Sequence, residues 1–534
     1  MNAVILMTKI PNKNSKTRLS TILSEEQRIK LSSNLIDNNL NILKNYKVFL
    51  SLTPDELFAD YTKNSHYDCI RQTGDDIGQR MNNSIKEVLS CGYSKVILIG
   101  SDIIDFDGEI FDEAFDKLDT NDVVFSPTED GGYSLIGMKK AHDVLFENKK
   151  YSNPNVENDL ENSLIEHDLS YYKLKETHDI DTDIDLVKYI SQSENVRLLG
   201  KGEYNSNYLI DDDYLIRIAR GSQMHLDNQI EYEYNALKFL EKSNVTAKVY
   251  DLKKDKLSGI SYLTEEYLIG RDLDYHTDLK IAAYLLSQIH SLDVTGQDFI
   301  KAGSPFNMMF DEFTQMFSHY QKWDKKNNAT EEKISNMLKY IKNLGLDSTL
   351  ENPCLINTEL NNKNFIIGDK SYVIDWEKPI IGEREQDLAH FLAPTTTFWK
   401  TDVIFDMDTM YDLLDEYDKV AKVKVDRKKF VKYLLFTCLR GITWCSMAYT
   451  QYVDENRDNG FTFEKIKAYL SDEFLDNIWE FIKANDFSNS AGVSRIWQHR
   501  QVHRSSGCFW WWARGDFQRE WRWRHVWKNQ RQRI

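Results

Sequence analysis

At 534 residues the chain exceeds what one ordinary hydrophobic core accommodates, which predicts two domains with accessory elements. Hydrophobic residues make up 41% and charged residues 28%, the balance of a soluble globular protein, and no apolar run reaches the ~18 residues that a membrane span requires. A formal net charge of −17 argues against nonspecific nucleic-acid binding, which needs a basic face, but leaves room for nucleotides held by local amides, cations and metal.

The first residues, MNAVILMTKIPNKNSKTRL, carry no basic segment ahead of their short apolar run, which argues against a signal peptide and for a cytoplasmic protein. Six cysteines, Cys69, Cys91, Cys354, Cys438, Cys445 and Cys508, form no C-x-x-C pair and have no histidine at ligand spacing. They read as structural thiols in a reducing compartment.

In chain order, AVILM (3–7), KVILIG (95–100) and DVVFSP (122–127) are short apolar runs that predict buried strands, with helical stretches such as 24–44 between them. Strands alternating with helices predict an α/β sheet whose ligands bind at the C-terminal strand edge. The polar motifs stand there. A loop with Lys9, Lys13, Lys16 and Arg18 follows the first strand, where it is either a phosphate cradle or a solvated surface. Asp102 follows the second in GSDIID, placed to hold a divalent cation. PTEDGGYSLIG follows the third, with Gly131 and Gly132 beside Asp130. HDIDTDIDL then offers Asp179, Asp181, Asp183 and Asp185, any of which completes a metal site equally well on sequence grounds.

SKTRL, GDDIGQRM, LIGSD, DGGYSLIG and DIDTDIDL together resemble the GT-A-fold transferases of the arsenosugar-type glycosyltransferase group and, more distantly, the phospholactate and molybdenum-cofactor guanylyltransferases. The resemblance covers about residues 1–190. It implies a nucleotide-sugar or NTP donor with Mg2+ or Mn2+, Lys16 and Arg18 on phosphates, and Asp102 on the metal. The sequence departs from the group in having IID after Asp102 where a proline-containing turn is usual, and glycosyl and nucleotidyl transfer are not separated by these motifs.

From residue 196, VRLLGKGEYNSNYLIDDDYLIRIARG reads as strand, glycine loop, strand, acidic hairpin turn and strand. Gly200 and Gly202 either let the loop lie over phosphates or form only a hairpin. Arg217 lies in the third strand, and a following helix, NQIEYEYNALKFLEKS, offers Glu233 as its ion-pair partner. YLTEEYLIGRDL reads as a hinge whose backbone near Glu266 and Tyr267 meets a purine, and AAYLLSQIHSLD as an amphipathic helix. Downstream, CLINTELNNKNFIIG and YVIDWEKPIIGEREQDLAHF place Asn357, Glu359, Asn364, Asp375 and Asp387 in order.

This set resembles the aminoglycoside phosphotransferase and choline kinase superfamily over roughly residues 196–480. The resemblance implies ATP as phosphate donor, Arg217 in place of a phosphate-binding lysine, Asn364 and Asp375 on Mg2+, and Glu359 as the group that orients or deprotonates an acceptor hydroxyl. Two positions depart from it. Asn357 stands where histidine is usual and Glu359 where aspartate is; glutamate is one methylene longer at nearly the same intrinsic pKa, so placement rather than basicity is at issue. The segment 389–402 and the apolar helix 433–449 lie where the superfamily builds its acceptor pocket. Arg440, inside that helix, requires a partner, either an anionic acceptor group or a nearby acidic cluster.

From about residue 491, seven of the chain's twelve Trp and nine Arg appear in 44 residues with a net charge of +8. A basic aromatic anchor is one reading. The other is an out-of-frame extension, because the single Trp codon read one base later becomes a Gly codon.

The expected fold is therefore α/β: a GT-A (Rossmann-like) nucleotide-binding domain at 1–192, a bilobal protein-kinase-like (aminoglycoside phosphotransferase) α+β domain at 196–486, and an atypical tail at 491–534. The expected activity is that of a bifunctional transferase acting on a small hydroxylated acceptor with nucleotides as donors, without nucleic-acid or membrane partners. The alternative is a nucleotide-binding pseudokinase that regulates an active N-terminal transferase. Oligomeric state and the identity of either acceptor are not legible.

Overall fold

The computed structural model describes residues 1–147, 149–151, 153–202, 204–222, 226–457 and 460–486. The Arg/Trp-rich stretch 491–534, with Cys508, lies outside them. The chain divides into two compact units, one formed by residues 1–302, 351–387 and 407–424, the other by 303–350, 388–406 and 425 onward.

The first unit contains two large sheets, beside small ones of three and two strands. Seven strands, β1 (Asn2–Lys9), β2 (Lys47–Thr53), β3 (Asp68–Arg71), β4 (Lys95–Gly100), β5 (Val123–Pro127), β6 (Tyr133–Met138) and β7 (Tyr171–Lys173), run in the order β3-β2-β1-β4-β6-β5-β7. β3, β2, β1 and β4 are mutually parallel, and β6 is antiparallel to both neighbours. The continuous apolar run of β1 is what a strand covered on both faces demands. Val4 and Leu6 enter one core, Ala3, Ile5 and Met7 the other, following the two-residue period of a strand. The covering helices are α1 (Glu25–Ile42), α2 (Asp55–Thr62), α3 (Ile77–Ser90), α4 (Gly108–Lys117) and α5 (Val156–Glu166), whereas α6 (Asp183–Ser191) packs in a separate cluster. Ser24 with Gln27 starts α1 and Thr182 with Asp185 starts α6 as reciprocal capping boxes.

The second sheet is antiparallel: β8 (Val196–Lys201), β9 (Asn205–Ile210), β10 (Tyr214–Ala219), β11 (Val249–Lys254) and β12 (Ser261–Glu266), in the order β11-β12-β10-β9-β8. The acidic turn between β9 and β10 carries Asp211 and Asp212 at φ 52° and 57°, the left-handed pair that a tight hairpin requires and that Asp tolerates. Helices α7 (Gln229–Leu240) and α8 (Leu279–His290) follow. The boundary expected between 192 and 196 falls inside this unit. Leu19, Leu31, Leu35, Ile180, Leu186 and Val187 share one buried cluster with Tyr208, Ile210, Ile216, Ile218, Leu257 and Tyr262 of the second sheet's region.

The other unit is helical, built from Pro305–Lys322, Asn328–Asn343, Pro394–Lys400, Arg427–Asp454, Phe461–Tyr469 and Asp472–Ala484. Phe306 packs on Tyr433 and Phe436 with ring centroids 4.4 and 4.8 Å apart, joining the first of these helices to the longest. Of the two partners open to Arg440, an acidic side chain meets it: Nε lies 3.3 Å from Glu312 Oε1. Among the described residues no helix is long and apolar enough to cross a membrane.

Candidate nucleotide sites

The first site is a cavity of about 390 Å3 lined by Gly200 and Gly202 of the glycine loop, Arg217, Glu233, Glu266, Tyr267 and Asp375. Thus the glycine loop, the expected hinge and the charged pair converge. Arg217 of β10 sits at its centre. Nε donates to Glu233 Oε2 at 2.8 Å, and Nη2 reaches Glu377 Oε1 at 3.1 Å and Asp375 Oδ1 at 3.3 Å. Nη1 faces Asn207 Oδ1 at 3.4 Å. Gln229, one turn before Glu233 on α7, donates to Glu233 Oε1 at 3.0 Å, so both oxygens of that carboxylate are engaged.

Burial works against the charge on Arg217, but Glu233, Asp375, Glu265 and Glu377 more than offset it and hold the guanidinium protonated. The carboxylates show the complementary strain. Burial and then Asp375 push Glu377 up to about 7, and burial pushes Glu265 up to about 7. One guanidinium thus contacts three carboxylates, with Glu265 adding to the field around it.

Behind this cluster the loop at 357–364 is suspended from Asp387, in the helix Arg384–Leu392. Asp387 Oδ2 and Oδ1 accept from Asn357 N and Thr358 N at 2.8 Å each, and His290 Nε2 lies 3.3 Å from Oδ2. Asn357 Nδ2 donates to the Asp375 carbonyl at 2.8 Å. Asn357, at the expected histidine position, therefore ties the loop to the Asp375 strand end. Thr358 and Asp375 both take left-handed backbone, at φ 73° and 67°, a conformation that costs a non-glycine residue ~1–3 kcal/mol and is concentrated at functional positions.

A hard divalent cation prefers oxygen donors. Asp375 supplies them on a half-exposed side chain. Asn364 lies beside it but presents Nδ2, 3.4 Å from Asp375 Oδ2, while its Oδ1 accepts from Asn361 N at 2.8 Å. The two expected metal ligands are brought together, and coordination by Asn364 uses the remaining lone pair of Oδ1 or a turned amide. The carboxylate of Glu359 forms an ion pair with Lys378.

The second site lies where β1 and β4 end. Lys16, at φ 48°, pairs its buried ammonium with Asp102 Oδ2 at 2.9 Å and donates to the Ile180 carbonyl. Arg18 instead pairs with Asp181 and, with it, lines a separate-facing cavity of about 600 Å3 that also includes Asp130 and Asp179. The sequence leaves four aspartates equivalent here; the structure separates them. Asp181 meets Arg18, Asp183 accepts from the Tyr208 hydroxyl at 2.8 Å, and Asp185 caps α6. Asp179 bridges to Ile103, next to Asp102, and burial followed by Asp130 pushes its carboxyl up to about 6. Asp179 and Asp102 thus lie on neighbouring backbone, linked through the Ile103–Asp179 bridge. Gly131, at φ 81°, allows the loop to close, since a Cβ there would stand 2.1 Å from the Pro154 carbonyl oxygen.

Sequence reasoning missed Asn207, Gln229, Glu265, Glu377 and Lys378. Of these only Glu377 had a signal, as the acidic neighbour two residues past Asp375.

The seven-stranded sheet and the five-stranded sheet with its buried Arg–Glu pair fall in regions matched by two separate families. Residues 195–421 match the phosphotransferase enzyme family, and residues 40–153 match a family described as an uncharacterized protein conserved in bacteria, DUF2064. The chain joins a DUF2064 domain to a phosphotransferase-family domain of kinase-like fold, and it is a transferase. Among solved structures, a candidate nucleotide-diphospho-sugar transferase from Desulfovibrio desulfuricans is 24% identical, with 36% of this chain and 88% of that chain covered and a TM-score of 0.35. A candidate aminoglycoside phosphotransferase from Ralstonia eutropha is 15% identical over 56% of this chain and 97% of that chain, TM-score 0.43. A choline/ethanolamine kinase family protein from Mesorhizobium loti is 15% identical over 53% and 92%, TM-score 0.37. No protein of curated function matches the chain.

Proposed function

We propose that the chain is a bifunctional transferase. Its kinase-like domain phosphorylates a small hydroxylated molecule with ATP, and its N-terminal domain carries out metal-dependent glycosyl or nucleotidyl transfer from a nucleotide donor. The observation that carries the first activity is the convergence of the Arg217–Glu233 pair, the 266–267 hinge and Asp375 on one cavity.

In this reading the purine meets backbone groups at Glu266 and Tyr267, and Gly200 and Gly202 approach the phosphates without side-chain obstruction. Arg217, held in the site by Glu233, faces the phosphate chain. Asp375 and Asn364 hold Mg2+, which supplies charge neutralisation on the phosphates when bound. Glu359 accepts the acceptor's hydroxyl proton as its oxygen forms a bond to the γ-phosphorus and the bond to the β-phosphate oxygen breaks, leaving ADP.

For the N-terminal site, Lys16 and Arg18 face donor phosphates and Asp102 with Asp179 hold Mg2+ or Mn2+. Lys16 changes partners in this reading, from Asp102 to an incoming phosphate. Comparing CTP, GTP and UDP-sugars as thermal stabilisers of the full-length protein, each with Mg2+ or Mn2+, separates nucleotidyl from glycosyl transfer. A second reading, nucleotide binding without phosphoryl transfer, draws on the amide nitrogen that Asn364 turns toward Asp375. ATP turnover across a panel of hydroxylated acceptors distinguishes the two.

A further inference from the structure

The backbone at Glu359 is held from both sides. Glu359 N donates to Asn357 Oδ1 at 3.1 Å, Asn361 Nδ2 donates to the Glu359 carbonyl at 3.2 Å, and the preceding two amides are bound to Asp387. None of these contacts fixes the side chain, and glutamate has one more rotatable bond than the aspartate expected there. Fixing that extra bond costs conformational entropy unless a contact holds it.

What meets the carboxylate is Lys378, whose side chain is only 16% exposed. Lys378 is itself on an anchored segment. The Glu377 carbonyl accepts from Gln229 Nε2, and the Pro379 carbonyl accepts from the Tyr232 hydroxyl at 2.6 Å. Pro379 also restricts Lys378 to extended backbone. Gln229 and Tyr232 lie on α7, the helix that carries Glu233. The element that sets Arg217 thus also sets Lys378.

We propose that Lys378 is a positioning residue for Glu359, pinning the longer carboxylate by Oε1 so that the acceptor hydroxyl is met at a fixed place. The proposal rests on reading Glu359 as the group that meets that hydroxyl. A carboxylate accepts several hydrogen bonds, so an ammonium on one oxygen is compatible with a hydroxyl on the other. The pairing also suits glutamate at this position, since its extra methylene carries the carboxylate into direct contact with Lys378.

The test uses the full-length protein with Lys378→Met, Lys378→Arg, Glu359→Asp and the double variant Lys378→Met/Glu359→Asp. Mg-ATP affinity is measured by calorimetry, and ADP release is followed with water and with hydroxylated acceptors. Lys378→Met is expected to leave Mg-ATP affinity within about twofold while lowering kcat on the order of tenfold to a hundredfold, the cost of a ~1 Å misplacement. Lys378→Arg is expected to recover most of that loss, and Lys378→Met to have little further effect in the Glu359→Asp background. Equal kcat for wild type and Lys378→Met, a loss carried wholly by ATP affinity, or additive effects in the double variant would overturn the proposal. The carboxyl carbon of Glu359, labelled with 13C-glutamate and assigned through Glu359→Gln, gives a readout independent of turnover. Its 13C chemical shift is expected to move in Lys378→Met and to return toward the wild-type value in Lys378→Arg, because the contact at Oε1 is lost and regained. An unchanged shift overturns the positioning role. A moved shift in a protein that binds Mg-ATP but releases no ADP keeps the Lys378–Glu359 contact and refutes the phosphotransfer reading on which the proposal rests.

Discussion

Arg217 Nε and Glu233 Oε2 lie 2.8 Å apart on side chains that are 8% and 3% exposed, one on β10 and the other on α7. A buried charge pair of this kind is costly to break from one side, because the remaining partner stays desolvated. Here the asymmetry is sharper, since Glu377 and Asp375 share the same guanidinium. Arg217→Met is expected to lower stability by ~3–5 kcal/mol and to abolish stabilisation by Mg-ATP, whereas Arg217→Lys keeps the charge, loses the fork and retains partial binding. Thermal unfolding with and without Mg-ATP checks both.

Acid should loosen the loop at 357–364 through His290. Its side chain is fully buried between Tyr417 Oη at 3.1 Å and Asp387 Oδ2 at 3.3 Å. Burial lowers the imidazole pKa below its usual range and outweighs the opposing pull of Asp387. The sign follows: the unfolded chain takes up a proton near pH 6.5 while the folded site resists it, so stability is full above that pH and declines as pH falls through it. The unfolding midpoint measured from pH 8 to 5 is expected to fall below pH 6.5, and the slope to flatten in His290→Gln.

Gly131→Ala tests the loop beside Asp130. Its φ of 81° and the 2.1 Å approach of a Cβ to Pro154 O leave no room for any side chain. The variant is expected to lose more than ~1 kcal/mol of stability and to weaken binding of the nucleotide donor, with Mg-ATP stabilisation retained. Denaturant unfolding and ligand-induced thermal shifts report the two effects.

At the second site, Lys16→Met leaves Asp102 without its 2.9 Å partner. It is expected to weaken donor triphosphate or diphosphate-sugar binding at least tenfold by calorimetry, since a charge-assisted hydrogen bond to phosphate contributes ~1.5–3 kcal/mol.

Within the seven-stranded sheet, the strands legible in the sequence were those buried on both faces. β1, β4 and β5 are unbroken apolar runs bounded by turn residues, whereas β7 is three residues long, too short for any period to show. The site followed the same division. Arg217, Glu233, Asn364 and Asp375 stood out because a shared motif spacing linked them, but Lys378 and Gln229 belong to no such spacing and gain their place only through α7 and the 377–379 segment. The four aspartates at 179–185 could not be ranked from sequence because their roles depend on Arg18, 163 positions from Asp181, and on Tyr208, 25 positions from Asp183. Arg440 demanded a partner, yet nothing local pointed to Glu312, 128 positions away.

The central claim is that the Arg217 site transfers phosphate and does not merely hold nucleotide. The most direct measurement is ADP release from Mg-ATP by the full-length protein across a panel of small hydroxylated acceptors, run beside Glu359→Ala. The account predicts acceptor-dependent ADP release that falls at least a hundredfold in Glu359→Ala, on the order expected for loss of a positioned general base, while Mg-ATP still raises the unfolding midpoint of both proteins. Stabilisation by Mg-ATP with no acceptor-dependent release, or release unchanged by Glu359→Ala, would contradict it.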